Sequence, residues 1–443
     1  NSADQIPMRA VQDGIIAELG SLDKSLGGDS SRYSLSGIWH NDDFTVSAYA
    51  IKYDMNIWSN FTYFLEDEIN GDQFEQLDKR IIYGVKLSYQ TQNTFIGRPV
   101  HNLFGFDIRY DDIEEVGLYH SKERQRLGAI RSDKVDEIST GLYWQNQLEW
   151  STNIRMVFGL RYDHFDFDVN TLIYKNNHGI DLIDNNGTEN ADLFSVKGSI
   201  IYTLNDEWET YLSIGEGFHS NDARGTTIEV DPLNGDPIDS VDPLVPSLGY
   251  EIGVRGFINE RLNTSIALWN LKLDSELLFI GDAGSTEASS SSERKGLEVT
   301  AYYRLSKAWV ADIEYAFSDA KFNEYSIESN DIPGAIEHVF QAGISVAYDS
   351  GLFGNLRMRY FGERPLVEDG SITSDPSIVV NFRGGYKHNN WMLKIDVFDS
   401  NDHDIDYYYP SRLNTENAKE GVNDIHYHVL EPRAIRLSVS YKY

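Results

Sequence analysis

Side chains that could bind a ligand or a metal ion concentrate in three short stretches of this 443-residue chain. Each stretch places histidine beside carboxylate, tyrosine or arginine groups. The candidate ligand-binding residues are His219, Asp222 and Arg224 in GFHSNDARG (217–225), His403, Asp404, Asp406, Tyr407 and Tyr408 in HDIDYYYPSRL (403–413), and His426, His428 and Arg433 in DIHYHVLEPR (424–433).

Two interpretations of these residues stay open. Histidine and carboxylate side chains can ligate a transition metal, and clustered tyrosines can stack on sugars or on aromatic ligands. The alternative is that the same groups pack the loops together or hydrogen-bond their backbone. His403, His426 and His428 are the candidate metal ligands, because they converge with tyrosines within residues 400–429.

The composition and the charge balance exclude several classes of function. The chain has 70 acidic and 38 basic residues, and this net charge of −32 disfavours nucleic acid as a partner. We interpret most of the charge as solubilising, with attraction of cationic ligands or divalent metals as the alternative. Cysteine is absent, which excludes disulfides and cysteine-ligated metal sites. No P-loop, dinucleotide-binding, G-x-S-x-G or H-E-x-x-H motif occurs, so we predict no enzyme and no cofactor.

The elements that must position the candidate residues are β-strands, because apolar and polar residues alternate along most of the chain. In NIRMVFGLRY (153–162), the apolar residues share one face and Arg155 and Arg161 lie on the other. The last ten residues, AIRLSVSYKY, alternate without interruption. These apolar faces are about nine residues long, the length of a tilted strand that crosses a bilayer. No run of 18 apolar residues predicts a transmembrane helix.

Aromatic residues lie at the ends of several apolar faces, as expected of the two interfacial girdles of a membrane barrel. The predicted girdle residues are Tyr162, Trp309, Phe317, Trp391, Tyr441 and Tyr443. We therefore predict an all-β fold, a transmembrane antiparallel up-and-down β-barrel. A soluble all-β binding protein is a weaker alternative, because the long alternating segments recur so often.

Short and long connections take turns along about 17 predicted strands. The short ones include Asn205-Asp206 and Asn259-Glu260, and the long polar ones are 169–191, 220–246, 323–334, 367–374 and 400–429. Outer-membrane barrels have short periplasmic turns and longer extracellular loops. We predict one barrel domain over residues 31–443 and an extracellular loop segment over residues 1–30. A bacterial barrel needs an even number of strands, so we expect further strands upstream of this chain.

Four segments resemble the barrel of TonB-dependent outer-membrane receptors. They are YEIGVRGFINERLNTSIALWNLKLDSEL (250–277), SERKGLEVTAYYRL (292–305), DIPGAIEHVFQAGISVAY (331–348) and the C-terminal PRAIRLSVSYKY. The resemblance covers residues from about 30 to 443. It implies about 22 strands around a plug domain, of which about 17 strands are present here. Many siderophore receptors of this family carry a Gly-Phe-Arg-Ala-Pro type stretch where this chain has GFHSNDARG.

The resemblance implies an active-transport receptor in the outer membrane of a Gram-negative bacterium. Such a receptor binds a siderophore or other metal chelate, a vitamin or a saccharide on its extracellular loops and imports it with TonB-coupled energy. The implied partners are outer-membrane lipid, lipopolysaccharide and the TonB complex, which is reached through a plug domain absent from this chain. We expect a monomer. The alternative is a passive porin or a structural barrel.

Overall fold

The computed structural model describes residues 5–280, 285–288, 290–326, 329–400, 403–414, 419–429 and 433–442. Within those ranges, 18 strands form one antiparallel barrel sheet, and 17 of them follow one another as an up-and-down meander. The meander consists of β2 (Gly27–His40), β3 (Phe44–Ser59), β4 (Phe74–Phe95), β5 (Arg98–Lys122), β6 (Gln125–Glu149), β7 (Ile154–Thr171), β8 (Gly187–Asn205), β9 (Trp208–Ser220), β10 (Leu244–Ile258), β11 (Leu262–Leu273), β14 (Ser292–Arg304), β15 (Trp309–Ser326), β17 (His338–Ala347), β18 (Leu352–Phe361), β19 (Ser377–His388), β20 (Trp391–Ser400) and β23 (Ala434–Tyr441). The short strand β16 (Ser329–Asp331) pairs with β15.

Alternation of side chains between the two faces of the sheet explains why these segments form membrane strands. Ile252, Leu268, Leu297 and Phe317 lie side by side across four neighbouring strands. Ile252 and Leu268 are 53% and 55% exposed on the outer face, where a barrel presents an apolar band to lipid. The predicted all-β fold, its 17 long strands and their up-and-down order are confirmed. Among the described residues, no helix is long and apolar enough to span a bilayer.

The two ends of the barrel differ in the length of their connections. At one end, every connection has two to four residues, from 41–43 to 389–390. The opposite end, called the long-loop end below, carries the connections 60–73, 172–186, 221–243, 274–291, 327–337, 362–376 and 401–433. One connection at the long-loop end is short, because β5 and β6 continue outward to a tight turn at Glu123-Arg124, both with positive φ.

Additional secondary-structure elements lie at the long-loop end, and they were not predicted from the sequence pattern. β1 (Ile6–Pro7), β21 (His403–Ser411) and β22 (Val422–Val429) form a separate antiparallel sheet, called the loop sheet, with β22 in its centre. A hairpin joins β12 (Leu277–Ile280) to β13 (Ser285–Ala288). The helices are α1 (Met8–Gln12) and α2 (Ala223–Thr226), and a 3-10 turn covers Ile183–Asn185.

Candidate ligand-binding site

The connection 221–243 folds back into the mouth of the barrel at the long-loop end. Its helix α2 contacts β6 and β7. Ala223 of α2 is buried in an apolar cluster with four wall residues, Ile113, Val135, Phe167 and Val169. Burial of this apolar surface attaches the connection to the wall. The mouth is therefore lined by a packed loop as well as by strands.

Two ion pairs lie beside this apolar cluster and complete what we call the mouth cluster. Arg131 and Asp133 of β6 are 2% and 1% exposed, and their Nε and Oδ2 atoms are 2.6 Å apart. The Nη2 of Arg131 also donates a hydrogen bond to the backbone carbonyl of Arg224, at 3.1 Å. The guanidinium of Arg224 binds the carboxylate of Asp222 at 2.7 Å. Wall and loop are thus joined by a hydrogen bond from the charged Arg131, and such bonds are stronger than neutral ones.

The electrostatics of the second pair are set by its position in the mouth. Burial alone would raise the pKa of Asp222, but the ion pair and hydrogen bonds with Arg224 outweigh it and hold this pKa well below the usual range. The side chain of Asp222 is 35% exposed and that of Arg224 is 12% exposed. Both groups stay charged at neutral pH, and a partly exposed carboxylate at the mouth can still accept hydrogen bonds from a ligand.

The inner wall below the mouth cluster carries further arginines that are each bonded to carboxylates. Arg109 binds Asp111 through Nε at 2.6 Å and Nη2 at 2.7 Å. Arg161 binds both Asp107 and Asp163 with its guanidinium. Such pairs fix the side chains in place and present donors and acceptors to the lumen. This wall suits a polar ligand with several hydrogen-bonding groups.

Two buried asparagines connect the loops 172–186 and 221–243. Asn185 is almost fully buried, and its side chain accepts from the amides of Glu229 and Val230 and donates to the carbonyl of Val230. The amide of Asn176 donates to the carbonyls of Ile130 and Pro232. Sequence reasoning missed both residues, because an asparagine in a polar connection looks like an ordinary turn residue.

The loop sheet contains the other candidate residues. His426 is fully buried, and its ring stacks on that of Tyr409 with centroids 3.8 Å apart. Arg9 donates to the hydroxyl of Ser411, which in turn lies 2.9 Å from Nε2 of His426. The other nitrogen, Nδ1, lies 3.1 Å from the carbonyl of Asp424. Ser411 therefore donates to Nε2, and Nδ1–H donates to Asp424, which describes a neutral ring.

This geometry favours the packing interpretation of His426 over the metal interpretation. Burial lowers its pKa to about 3, so the ring is neutral at physiological pH. Both ring nitrogens are engaged, and a metal would have to displace the Ser411 hydroxyl. In the part of the chain that the structure describes, no group of three or more histidine or carboxylate residues is arranged to hold a metal ion. A metal role for the three histidines thus remains a prediction.

The structure separates the predicted ligand-binding residues into two places. Asp222 and Arg224 pair at the mouth, and His219 lies near the end of β9, three residues before Asp222 in the chain. The loop sheet holds Asp406, Tyr407, Tyr408, His426 and His428, where Asp406 is buried and the rings of Tyr407 and His428 meet edge to face. Arg433 is exposed at the end of the last connection. The side chains of His403 and Asp404 lie outside the described residues.

The predicted girdle residues lie at both ends of the apolar band. Trp391 and Tyr441 meet at the short-turn end with ring centroids 4.9 Å apart, and Trp309 lies at the same end. Tyr162 and Phe317 lie near the middle of their strands, where the outer face changes from apolar residues to His164 and to Asp319. Tyr443 lies outside the described residues. The assignment of these rings to membrane interfaces remains a prediction.

The negative charge of the chain is concentrated at the long-loop end. Forty-two of its 70 acidic residues, against 13 of its 38 basic residues, fall in the segments there, which gives −29 of the net −32. The counted segments are 1–26, 60–73, 111–135, 169–191, 220–246, 274–291, 323–337, 362–376 and 401–433. A field of this sign attracts cations and repels anions that approach the mouth.

Comparison with known proteins identifies the fold and the family. The chain is similar in structure to the ferric-catecholate import receptor Fiu from E. coli K12 (TM-score 0.70, 15% identity, 95% of this chain and 65% of that one). It is also similar to the ferric yersiniabactin uptake receptor FyuA from Yersinia pestis (0.68, 14%, 94% and 63%) and to the ferric citrate transporter FecA (0.73, 13%, 100% and 66%).

The chain spans about two thirds of the length of these structures. Residues 13–399 match the family model of the TonB dependent receptor-like β-barrel. That match includes most strands of the meander and the mouth cluster. It leaves out the last strand and the loop sheet, whose β1 precedes residue 13 and whose other two strands follow residue 399. The family consists of transport receptors of the Gram-negative outer membrane. The chain therefore belongs to the TonB-dependent receptor family, as a β-barrel domain.

Proposed function

We propose that this protein binds a scarce nutrient at the long-loop end and imports it across the outer membrane with TonB-coupled energy. The observation that carries the proposal is the mouth cluster, in which a loop is packed and hydrogen-bonded onto the inner wall of a TonB-dependent receptor barrel. A built polar surface inside the mouth suits capture of a specific ligand. It would only narrow a passive pore.

The proposed ligand is a metal chelate such as a siderophore, a vitamin or a saccharide. Fiu, FyuA and FecA are described as receptors or transporters of ferric chelates, which supports the first of these classes. The acidic long-loop end also favours some net charges of the ligand over others. Within each class, ligands of neutral or positive net charge should bind better than anionic ones at low ionic strength.

The remaining assignments follow from the same proposal. Residues 1–30 form an extracellular segment and residues 31–443 the barrel domain, which lies in the outer membrane among lipid and lipopolysaccharide. The protein acts as a monomer and reaches the TonB complex through a plug domain. Strand β2 begins at Gly27, which is four residues before the start of the barrel domain in this division.

Ligand capture can be tested by titrating the purified protein with ferric citrate, a ferric catecholate, cyanocobalamin and maltohexaose, with tryptophan fluorescence as the readout. We expect saturable quenching by at least one probe and about tenfold weaker binding in His219→Ala, at the mouth. His388→Ala, at the short-turn end, is the matched control and should bind as the unmodified protein does.

A porin or structural barrel predicts a different result from the same protein. It would show no saturable quenching by any probe, together with steady ligand-independent conductance in a planar bilayer. That combination would overturn the receptor proposal in favour of a passive barrel.

A further inference from the structure

The wall of the barrel divides between β8 and β9. Their ladder runs from Asn205 and Trp208 up to Lys197 and Gly215, where it stops. Beyond that point towards the long-loop end, β8 continues its pairing with β7 up to Gly187. Strand β9 continues its pairing with β10 up to Ser220. Near the long-loop end, β8 is therefore paired only with β7, and β9 is paired only with β10.

Two side chains show how the separated edges lie. The carboxylate of Glu216 accepts the backbone N–H of Val196 at 3.0 Å, in place of a carbonyl from a neighbouring strand. The ring of Phe218 meets that of Phe165 at 5.9 Å and nearly at right angles. Alternation places Phe165 on the inner face of β7, beside buried Phe167, and Phe218 on the outer face of β9, in line with exposed Ile214. The outer face of β9 thus lies against the inner face of β7, and the wall overlaps itself.

This overlap, called the seam below, encloses a cavity of about 470 Å³ between the two edges. That volume lies in the range of small-molecule sites, about 300–1,000 Å³. Its lining includes Phe218 and Tyr143 as apolar groups and Ser195, Lys197 and Arg161 as polar groups. Apolar surface therefore meets hydrogen-bonding groups in a single pocket.

One polar atom in the seam lacks a partner. Ser195 is only 7% exposed, and its Oγ has no hydrogen-bond partner among the described residues. A buried hydroxyl left unpaired in this way is destabilising, and its presence in a pocket indicates that a ligand satisfies it.

The charges around Ser195 indicate what that ligand carries. Arg161 is already engaged by Asp107 and Asp163, and Glu216 is engaged by the amide of Val196. Lys197 has no ion pair among the described residues, and its chain lies across the Cα of Gly159. A carboxylate or hydroxyl group placed between Ser195 Oγ and Lys197 Nζ would be bound by both.

We propose that the seam binds an amphiphile, with its carboxylate or hydroxyl head on Ser195 and Lys197 and its alkyl chain along Phe218 and Tyr143. The pocket lies where the β8–β9 ladder stops and the edge of β8 is no longer paired with β9. Two sources can supply such a molecule, the surrounding membrane or a free amphiphile that enters at the mouth. This proposal does not depend on the import function proposed above. Its test measures attachment of the amphiphile and not uptake.

Photocrosslinking of the purified, detergent-solubilised protein tests this site. The probes are laurate and a phospholipid, each with a diazirine in the acyl chain, and labelled peptides are located by mass spectrometry. We expect label in 143–145, 159–161 or 216–218 that excess unlabelled laurate removes. Ser195→Trp fills the pocket and should reduce this label at least tenfold. Ser199→Trp, an inward position of the same strand inside the intact ladder, should leave it unchanged.

The two probes distinguish the sources. Label from the phospholipid supports a membrane lipid as the occupant, and label from laurate alone supports a free amphiphile. Lys197→Met should weaken laurate labelling about tenfold, because the head loses a charged partner. The proposal is overturned if neither probe labels these segments, or if Ser195→Trp and Ser199→Trp reduce the label equally.

Discussion

The substitution Asp133→Ala tests whether the mouth cluster holds the connection 221–243 against the wall. It leaves the guanidinium of Arg131 98% buried, with the carbonyl of Arg224 as its nearest acceptor. Removing one partner of a buried ion pair costs about 3–5 kcal/mol. The ion pair lies next to α2, so we expect the cost to appear as local opening of the loop.

The expected change in loop opening follows from the relation between free energy and an equilibrium constant, in which 1.4 kcal/mol is a factor of ten. A cost of about 3 kcal/mol raises the population of the open loop roughly 100-fold. Hydrogen exchange of peptides covering 223–230, read by mass spectrometry on the purified protein, should accelerate by that factor. Heat-modifiable mobility on gels checks that the barrel itself is still assembled.

Two matched variants separate this explanation from general damage. Arg131→Met with Asp133→Leu replaces both charges by apolar groups, and such replacements are often neutral. It should exchange within about tenfold of the unmodified protein. Lys134→Ala removes an exposed pair with Asp136, which is worth about 1 kcal/mol or less, and should change little. The reasoning is refuted if Asp133→Ala exchanges like the unmodified protein, or if the double variant opens as far as the single one.

Two further predictions concern the loops. The loop sheet should lose stability in acid, because burial lowers the pKa of His426 to about 3 and the opened loop takes up a proton below about 6.5. The stability of the loop sheet is complete above pH 6.5 and falls by about 1.4 kcal/mol per pH unit towards pH 3. Hydrogen exchange of residues 422–429 should accelerate accordingly. The same pH dependence of exchange in His426→Phe would contradict this explanation. Asn185→Ala should expose Arg224 to trypsin at least tenfold faster, because three buried hydrogen bonds are lost. Asn234→Ala, exposed in the same connection, is its control, and equal cleavage of the two would disprove the role of Asn185.

The strands could be predicted from sequence because the bilayer imposes a local rule. A strand that faces lipid on one side and the lumen on the other must alternate at every residue, and that alternation is visible within one segment. AIRLSVSYKY is an example, since Ile435, Leu437 and Val439 are all highly exposed on the outer face of β23. The predicted boundaries differ from the observed ones by a few residues, as at the predicted connection 169–191, where the observed strands leave 172–186.

The loops could not be predicted because their contacts join distant parts of the chain. Arg9 donates to Ser411, 402 residues away, and this bond determines the environment of His426. From sequence alone, His426 and His428 are equally good candidates for binding a ligand. The structure distinguishes them, because His426 is fully buried and His428 is not. Asp222 and Arg224 were candidates from sequence, and the structure pairs them, while their role in ligand binding stays a prediction. Their wall partners Arg131 and Asp133 were missed, although their spacing of two on an extended strand puts both on one face.

Energy-dependent uptake tests the central claim most directly. Cells that produce the full-length protein, with and without a functional TonB, would be given whichever radiolabelled probe quenches the purified protein. The account predicts saturable uptake that disappears without TonB, while binding to the cell surface persists. Uptake that is non-saturable and equal in both strains would contradict it and would identify a passive barrel.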